Sequence, residues 1–457
     1  MKWKERSLWM FILVFSLAMN FVFPLYSLQG RESSGKYQHL FSSVFYYLTE
    51  LYVEELDEKT IMLGAIRGLL TATNDPYTRF LDREEHKEFS STEKGKKAGI
   101  GVEVTFENGI PVVIAPIEGG PAEKAGIRAA DKIISIDGQS LKELSFGDML
   151  KLISGDVGTT VDLEIIHEGE QIPLKISIVR ALFKLDYCRG NLLSDGKIGY
   201  IRLSHFFGED SGSTDEFRKY LLEYKKKKVR GIIIDLRNNA GGHLDMAVTL
   251  SGYFLNKGDM VVSAKGRNAS MNREYRAEGK TSLIPGEMPV VVLINQGSAS
   301  ASEIMAGALQ DHGRAKLIGK KSFGKGSVQQ IVRPLPDDTA ALITIQKYFT
   351  PKNRSIHGKG LTPDIDTDPI LPTEDDRYYF TKMARTEFIK NFKSRHPAYD
   401  KTLHGIFLSE SKAAGYNFTE NFALVVLKNS YNGKFSSVPD LEMDVQLARA
   451  VEEVLSR

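Results

Sequence analysis

The chain has 457 residues, 42% hydrophobic and 26% charged, with a formal net charge of +2. That length exceeds one ordinary core at about 100 to 200 residues per domain and calls for two or three units, and the near-neutral balance argues against nucleic acid as a partner. Cys188 is the sole cysteine, which excludes an intrachain disulfide and a thiolate metal cluster; the nine histidines show no His-Glu-x-x-His pattern, so a zinc peptidase is without support.

In chain order, Lys2, Lys4 and Arg6 precede an apolar run over residues 8–23 broken mainly by Asn20. The run is short for a spanning helix of about 20 residues and long for a signal core of about 7 to 15, so anchor and cleaved signal stay open. The basic residues belong in the cytoplasm, which predicts that everything after Leu28 lies beyond the membrane, in a periplasm or cell envelope. Residues 33–92 read as a helical region, with Leu40, Val44, Tyr47, Leu48 and Leu51 on one stripe and Ile61, Ala65, Ile66 and Leu69 on another. The turn Asn74-Asp75-Pro76-Tyr77 interrupts it, because Pro76 disfavours helical geometry at Asp75.

Over residues 93–181 short apolar strands alternate with glycine turns, and two helices are predicted, one from Pro121 and one from Phe146 with Ser145 as its cap. The turn Gly99-Ile100-Gly101-Val102 can present successive backbone N–H groups to a carboxylate while the following strand takes up a peptide edge to edge; taken alone, it is better read as a tight turn before a strand. Residues 182–368 alternate strand and helix, an α/β pattern. The run Lys225–Lys228 closes a predicted helix, where its charge complements the helix dipole. Residues 369–457 mix helical patterns with polar turns.

Two loops follow buried-type strands and lead into helices: Arg237-Asn238-Asn239-Ala240-Gly241-Gly242, and Gln296-Gly297-Ser298-Ala299-Ser300-Ala301-Ser302. A serine at a helix start lies near unsatisfied N–H groups suited to an oxyanion. It is equally an ordinary cap. In Ser322-Phe323-Gly324-Lys325-Gly326-Ser327-Val328-Gln329 a lysine stands between glycines ahead of an apolar strand. A lysine amine has a reference pKa of about 10 and becomes a base for a serine only when burial or a cationic neighbour lowers it. No Gly-x-x-x-x-Gly-Lys-Ser/Thr phosphate loop is present.

Three further blocks complete the pattern: Pro121-Ala122-Glu123-Lys124-Ala125-Gly126-Ile127, Asp131 to Gly138, and Lys359-Gly360-Leu361-Thr362-Pro363-Asp364. Together these motifs make the chain resemble the carboxyl-terminal processing peptidases, or tail-specific proteases, serine peptidases with an embedded PDZ domain. The resemblance implies a multidomain α/β fold with a β-rich PDZ-type domain, a βαβ-rich catalytic core and a mixed helical C-terminal region. It implies Ser300 as nucleophile, Lys325 as general base and Gln329 as the residue that orients the lysine. It places the oxyanion hole at the amides of Ala301 and of Gly241 or Gly242, and the free carboxyl end of the substrate at Gly99, Ile100, Gly101 and Val102. Ser298 and Ser302 compete as nucleophiles, and His243 or Asp311 with His312 are the histidine-triad alternatives. No cofactor is implied. Partners are proteins with free C-terminal tails, with self-association through the end regions as a further expectation. A catalytically silent tail-binding adaptor would not need Ser300, Lys325 and Gln329 together, and a coenzyme-A enzyme on a related scaffold fits poorly with an export segment.

Overall fold

The structure, a computed structural model, describes residues 32–83, 85–87, 99–107, 110–141, 146–181, 187–194, 196–207, 212–278, 282–333, 335–432 and 440–457. The apolar run over residues 8–23 and the Ser145 cap lie outside the described residues. No described helix is long and apolar enough to cross a membrane.

Residues up to Thr73 form one unit. Helix α1 (Glu32–Leu51) carries its apolar stripe exposed at Leu40, Val44, Tyr47 and Leu51, and Asp57 starts α2 (Glu58–Thr71) by accepting the Thr60 N–H.

The second unit runs from Asn74 to Arg457. It opens with strand β1 (Arg79–Leu81), which departs from the helical expectation over residues 33–92. Its partner lies far along the chain, so tertiary pairing overrides the local pattern. Strands β2 (Val102–Glu107), β3 (Ile110–Pro116), β4 (Lys132–Ile136), β5 (Gln139–Ser140), β6 (Thr160–Ile166) and β7 (Leu174–Val179) form an antiparallel sheet in the order β2-β3-β4-β6-β7, with β5 on β4. Helices α3 (Pro121–Ala125) and α4 (Phe146–Ile153) accompany it. Its core gathers Ile100, Val113, Ile133, Ile136, Met149, Val161, Leu163 and Ile165.

The α/β part follows with β8 (Cys188–Leu193), β9 (Ile198–Leu203), α5 (Ser213–Lys227), β10 (Gly231–Asp235), α6 (Leu244–Gly252), β11 (Met260–Lys265), β12 (Arg273–Arg276), β13 (Val290–Ile294), α7 (Ala301–Asp311), β14 (Lys316–Gly319), β15 (Ser327–Val332), β16 (Ala340–Phe349) and β17 (Ile365–Asp366). One sheet runs β17-β14-β13-β10-β9-β8, parallel except for β8. The other joins β1, β16, β11 and β12, with β15 paired to β16.

Strand β13 is apolar throughout, and β10 is apolar up to its final Asp235, because both faces are covered. Ile232, Ile234, Val290 and Val292 pack with residues of α5, α6 and α7 on one face, while Ile233, Val291 and Leu293 meet Leu447, Ala450, Val451 and Val454 of the last helix on the other. Before that helix, α8 (Glu374–Ala384), α9 (Phe388–Arg395), α10 (Leu403–Ala413) and α11 (Glu420–Asn432) build an aromatic-rich cluster around Phe392, Phe407 and Phe418. The last helix, α12 (Val445–Leu455), then returns to the sheet. Because β10 and β13 are parallel neighbours, the loops leaving their carboxyl ends are adjacent, where open α/β sheets bind ligands.

Candidate active site

The loop after β10 is anchored before it reaches its glycines. Asp235 is buried, accepts the Tyr200 hydroxyl at 2.8 Å and pairs with Arg237, which bridges onward to Asp444. Burial pushes the Asp235 carboxyl up, but Arg237 and Arg202 outweigh it and hold the group down to about 2. Asn238 and Asn295 exchange hydrogen bonds of 2.7 and 2.8 Å, and the Asn239 carbonyl accepts the Ala299 N–H at 3.0 Å and the Ser302 hydroxyl at 2.7 Å. The two loops are therefore locked to each other.

Gly241 and Gly242 have φ of 109° and 138°. A Cβ at Gly241 would lie 2.8 Å from the Ser300 Cβ, and one at Gly242 would lie 2.1 Å from the Phe206 carbonyl oxygen, so neither position admits a side chain. The Gly241 N–H donates to Asn239 Oδ1 at 2.9 Å. The Gly242 amide is exposed and meets no acceptor among the described residues.

Ser300 opens α7 at φ 54° and ψ −113°, a conformation L-residues rarely adopt. The three serines of the loop separate by their environment. Ser298 and Ser302 are fully buried, their hydroxyls donating to the carbonyls of Leu236 and Asn239. Ser300 is half-buried, beside Gly241 and next to Ala301 in the first helical turn, where backbone N–H groups lack intrahelical acceptors.

Glu303, which the sequence reading did not single out, joins this loop to that of Lys325. Its side chain is fully buried, and its two oxygens accept four hydrogen bonds. Oε1 takes the Ser322 hydroxyl at 2.6 Å and the Gly324 N–H at 2.7 Å; Oε2 takes the N–H groups of Ser300 and Lys325, each at 2.9 Å. The main chains of serine and lysine thus converge on one oxygen atom. Burial pushes this carboxyl up to about 7 against the pull of those donors. The signal was present, since an acid three residues after a helix-opening serine is a capping-box spacing.

Gly324 and Gly326 let the lysine loop press against residues 356–360: a Cβ at Gly326 would lie 2.3 Å from the His357 nitrogen. The Lys325 amine sits 5.5 Å from the centre of the Tyr77 ring. Gln329 follows a bulge in the β15–β16 pairing, which re-aims its side chain, and its amide nitrogen donates to Ser327 Oγ at 2.9 Å and Thr344 Oγ1 at 3.2 Å.

The histidine alternatives do not gather here. His312 closes the far end of α7 and bonds the Met260 carbonyl, Asp311 pairs with Arg354, and His243 is exposed at the start of α6.

The expected tail-binding turn borders β2, which among the described residues pairs with β3 alone and has no strand on its other edge; just ahead of it Gly99 makes an isolated bridge to Ala181. Gly101 has φ 77°, and the N–H groups of Ile100 and Gly101 meet no acceptor among the described residues. This sheet also touches the loops that carry Gly241, Ser300 and Lys325. Ile114 and Ala115 of β3 pack with Ala240, Ala299 and Phe323, and Glu103 of β2 bonds His205 at 2.8 Å. Burial pushes Glu103 up, but His205, together with Lys325, holds its carboxyl below the ordinary range.

Fold and site define an α/β serine peptidase with an inserted PDZ domain. Residues 197–367 match peptidase family S41, residues 112–166 a PDZ domain, and residues 27–85 the N-terminal domain of the activating protease CtpB. A carboxy-terminal-processing protease of Bartonella bacilliformis is 37% identical over 396 residues, spanning 85% of this chain and 89% of that one. The carboxy-terminal processing protease CtpB of Bacillus subtilis is 34% identical over 339 residues, 74% of this chain and 69% of its own. The solved photosystem II D1 C-terminal processing protease superposes with a TM-score of 0.61 at 30% identity, covering 72% of this chain and 86% of that one. The chain belongs to the carboxy-terminal processing protease family and is a C-terminal processing serine protease of family S41.

Proposed function

We propose that the chain cleaves proteins captured by their free C-terminal tails, with Ser300 as nucleophile and Lys325 as general base. The observation that carries this is the single Glu303 oxygen that accepts the N–H groups of both residues, together with the engagement of the Ser298 and Ser302 hydroxyls elsewhere. Lys325 takes the Ser300 proton as Oγ attacks the scissile carbonyl. The oxyanion falls between the amides of Ala301 and Gly242; Gly241 is disfavoured because its N–H is already bound to Asn239. Lys325 then protonates the leaving amine, and water releases the acyl group. Gln329, held by Ser327 and Thr344, orients the lysine through its amide oxygen.

The tail carboxylate is received by the turn Gly99-Ile100-Gly101-Val102 and the tail adds as a strand to β2, a reading supported by the open edge and the available amides. The protein works outside the cytoplasm, tethered by residues 8–23 or released after their cleavage, as Lys2, Lys4 and Arg6 ahead of the apolar run support. Its exposed α1 stripe supports self-association.

The test is cleavage of an unfolded protein with an apolar C-terminal tail by the parent chain, Ser300→Ala and Lys325→Ala. Loss in both variants with unchanged circular dichroism and tail binding is expected. Undiminished cleavage by either variant contradicts the dyad.

A further inference from the structure

The turn Asn74-Asp75-Pro76-Tyr77 reads from sequence as a helix breaker, yet the structure builds it with more care than a linker requires. Asp75 Oδ1 accepts the Tyr77 N–H at 3.1 Å, its Oδ2 accepts the Thr78 hydroxyl at 2.7 Å, and its carbonyl accepts the Thr78 N–H at 3.1 Å. Thr78 in turn accepts the Thr344 N–H at 3.0 Å, and β1 continues the turn into pairing with β16, where Leu81 packs with Ala340 and Leu342. Thr344 is the residue whose hydroxyl accepts from Gln329. The turn is thus bonded to the strand that holds Gln329.

What this framework delivers is the Tyr77 ring. The Lys325 amine lies 5.5 Å from its centroid, within the range of attraction between a cation and an aromatic face. The ring is backed by the His357 imidazole, centroid to centroid 6.2 Å with planes at 60°. Burial and the neighbouring Lys347 hold that imidazole below its ordinary range, against a smaller opposing pull from Asp75. The His357 main chain also presses on Gly326 beside the lysine. Ring and lysine loop therefore share one support.

We infer that Tyr77 is a positioning residue for the Lys325 amine, so that a turn lying 248 positions away in the chain completes the active site. The inference rests on the reading of Lys325 as the base. A lysine side chain has four rotatable bonds and is a poor base unless its amine is held at one place. The ring face restricts the amine and attracts the ammonium that forms as the Ser300 proton is transferred, a charge present in the transition state and absent from the neutral base. The effect belongs in kcat rather than in substrate binding.

The test replaces Tyr77 in the full chain with Phe, Leu and a series of phenylalanines bearing one, two and three ring fluorines, which keep the ring's shape while weakening its negative face. Tyr77→Phe is expected to keep at least about half of kcat, and Tyr77→Leu to lose about tenfold in kcat with KM changed by less than about twofold. Within the fluorinated series kcat should fall stepwise as fluorines are added, with thermal midpoints unchanged. A merely structural ring would give a flat series, and a flat series overturns the inference even if the Leu variant does not fold. Lys325→Ala is measured alongside: if it retains activity, the reading of the base fails, whereas an inactive Lys325→Ala with a flat series sinks the role of Tyr77 alone.

Discussion

Replacing Glu303 with glutamine tests the join between the loops of Ser300 and Lys325. The carboxylate accepts two donors on each oxygen, whereas glutamine has one oxygen and turns its amide N–H groups toward the other pair. Two donors lose their acceptor, at about 1 to 3 kcal/mol each. The opposing term is the buried charge. Folding raises this carboxyl from 4.5 to about 7, so above that pH the ionised group is disfavoured by about 3 kcal/mol, a penalty glutamine does not carry. The two terms are of similar size, and Glu303→Gln should change global stability at pH 8 by no more than about 3 kcal/mol.

Activity responds differently, because a displacement of about 1 Å in reacting groups costs about a hundredfold in rate. The pH dependence has a definite sign. A folded value above the unfolded one means that the penalty is absent below 4.5, grows as pH rises through about 7 and is constant beyond. The parent should therefore lose up to about 3 kcal/mol of stability relative to the variant between pH 4 and pH 8. The assays are urea unfolding across that range and single-turnover cleavage of an ester substrate at pH 8. A variant within about threefold of the parent in acylation rate, with intact stability, would refute the role given to Glu303.

Gly242→Ala places a Cβ 2.1 Å from the Phe206 carbonyl oxygen at φ 138°, and should lower kcat by about a hundredfold or more while leaving tail binding, read by fluorescence anisotropy, unchanged. Arg237→Leu removes the nearer of the two guanidinium groups beside the buried Asp235, leaving it Arg202 at 3.7 Å and the Tyr200 hydroxyl at 2.8 Å, and should cost about 3 kcal/mol in urea unfolding at pH 7. Since the Asp235 carboxyl is held below its unfolded value of 3.8, that deficit is full above pH 4 and shrinks as pH falls toward about 2.

Some of this was legible and some was not, for physical reasons. The run Gly231 to Leu236 reads as a doubly covered strand because each face meets helices, and the serine and lysine loops carry short motifs whose types and spacing follow their chemistry. Strand β1 falls inside a stretch whose pattern is helical, since three residues carry no periodicity of their own and their partner lies on β16. Glu303 was legible only as a cap for the Ser300 amide. Its second duty depends on Gly324 and Lys325 folding back onto it, which no local pattern encodes. Tyr77 was hidden for the same reason, because a tyrosine after proline signals a turn and not which side chain its ring will face. The hydrogen bond from Gly241 to Asn239, on which the proposed preference for the Gly242 amide rests, is likewise not encoded in any local pattern.

The central claim, that Ser300 carries the acyl group, is tested most directly by trapping it. A rapidly quenched reaction with a p-nitrophenyl ester, digested and mapped by mass spectrometry, should show one acyl adduct on Ser300 in the parent and none in Lys325→Ala. An adduct on Ser298 or Ser302, or an adduct formed as fast without Lys325, would contradict it.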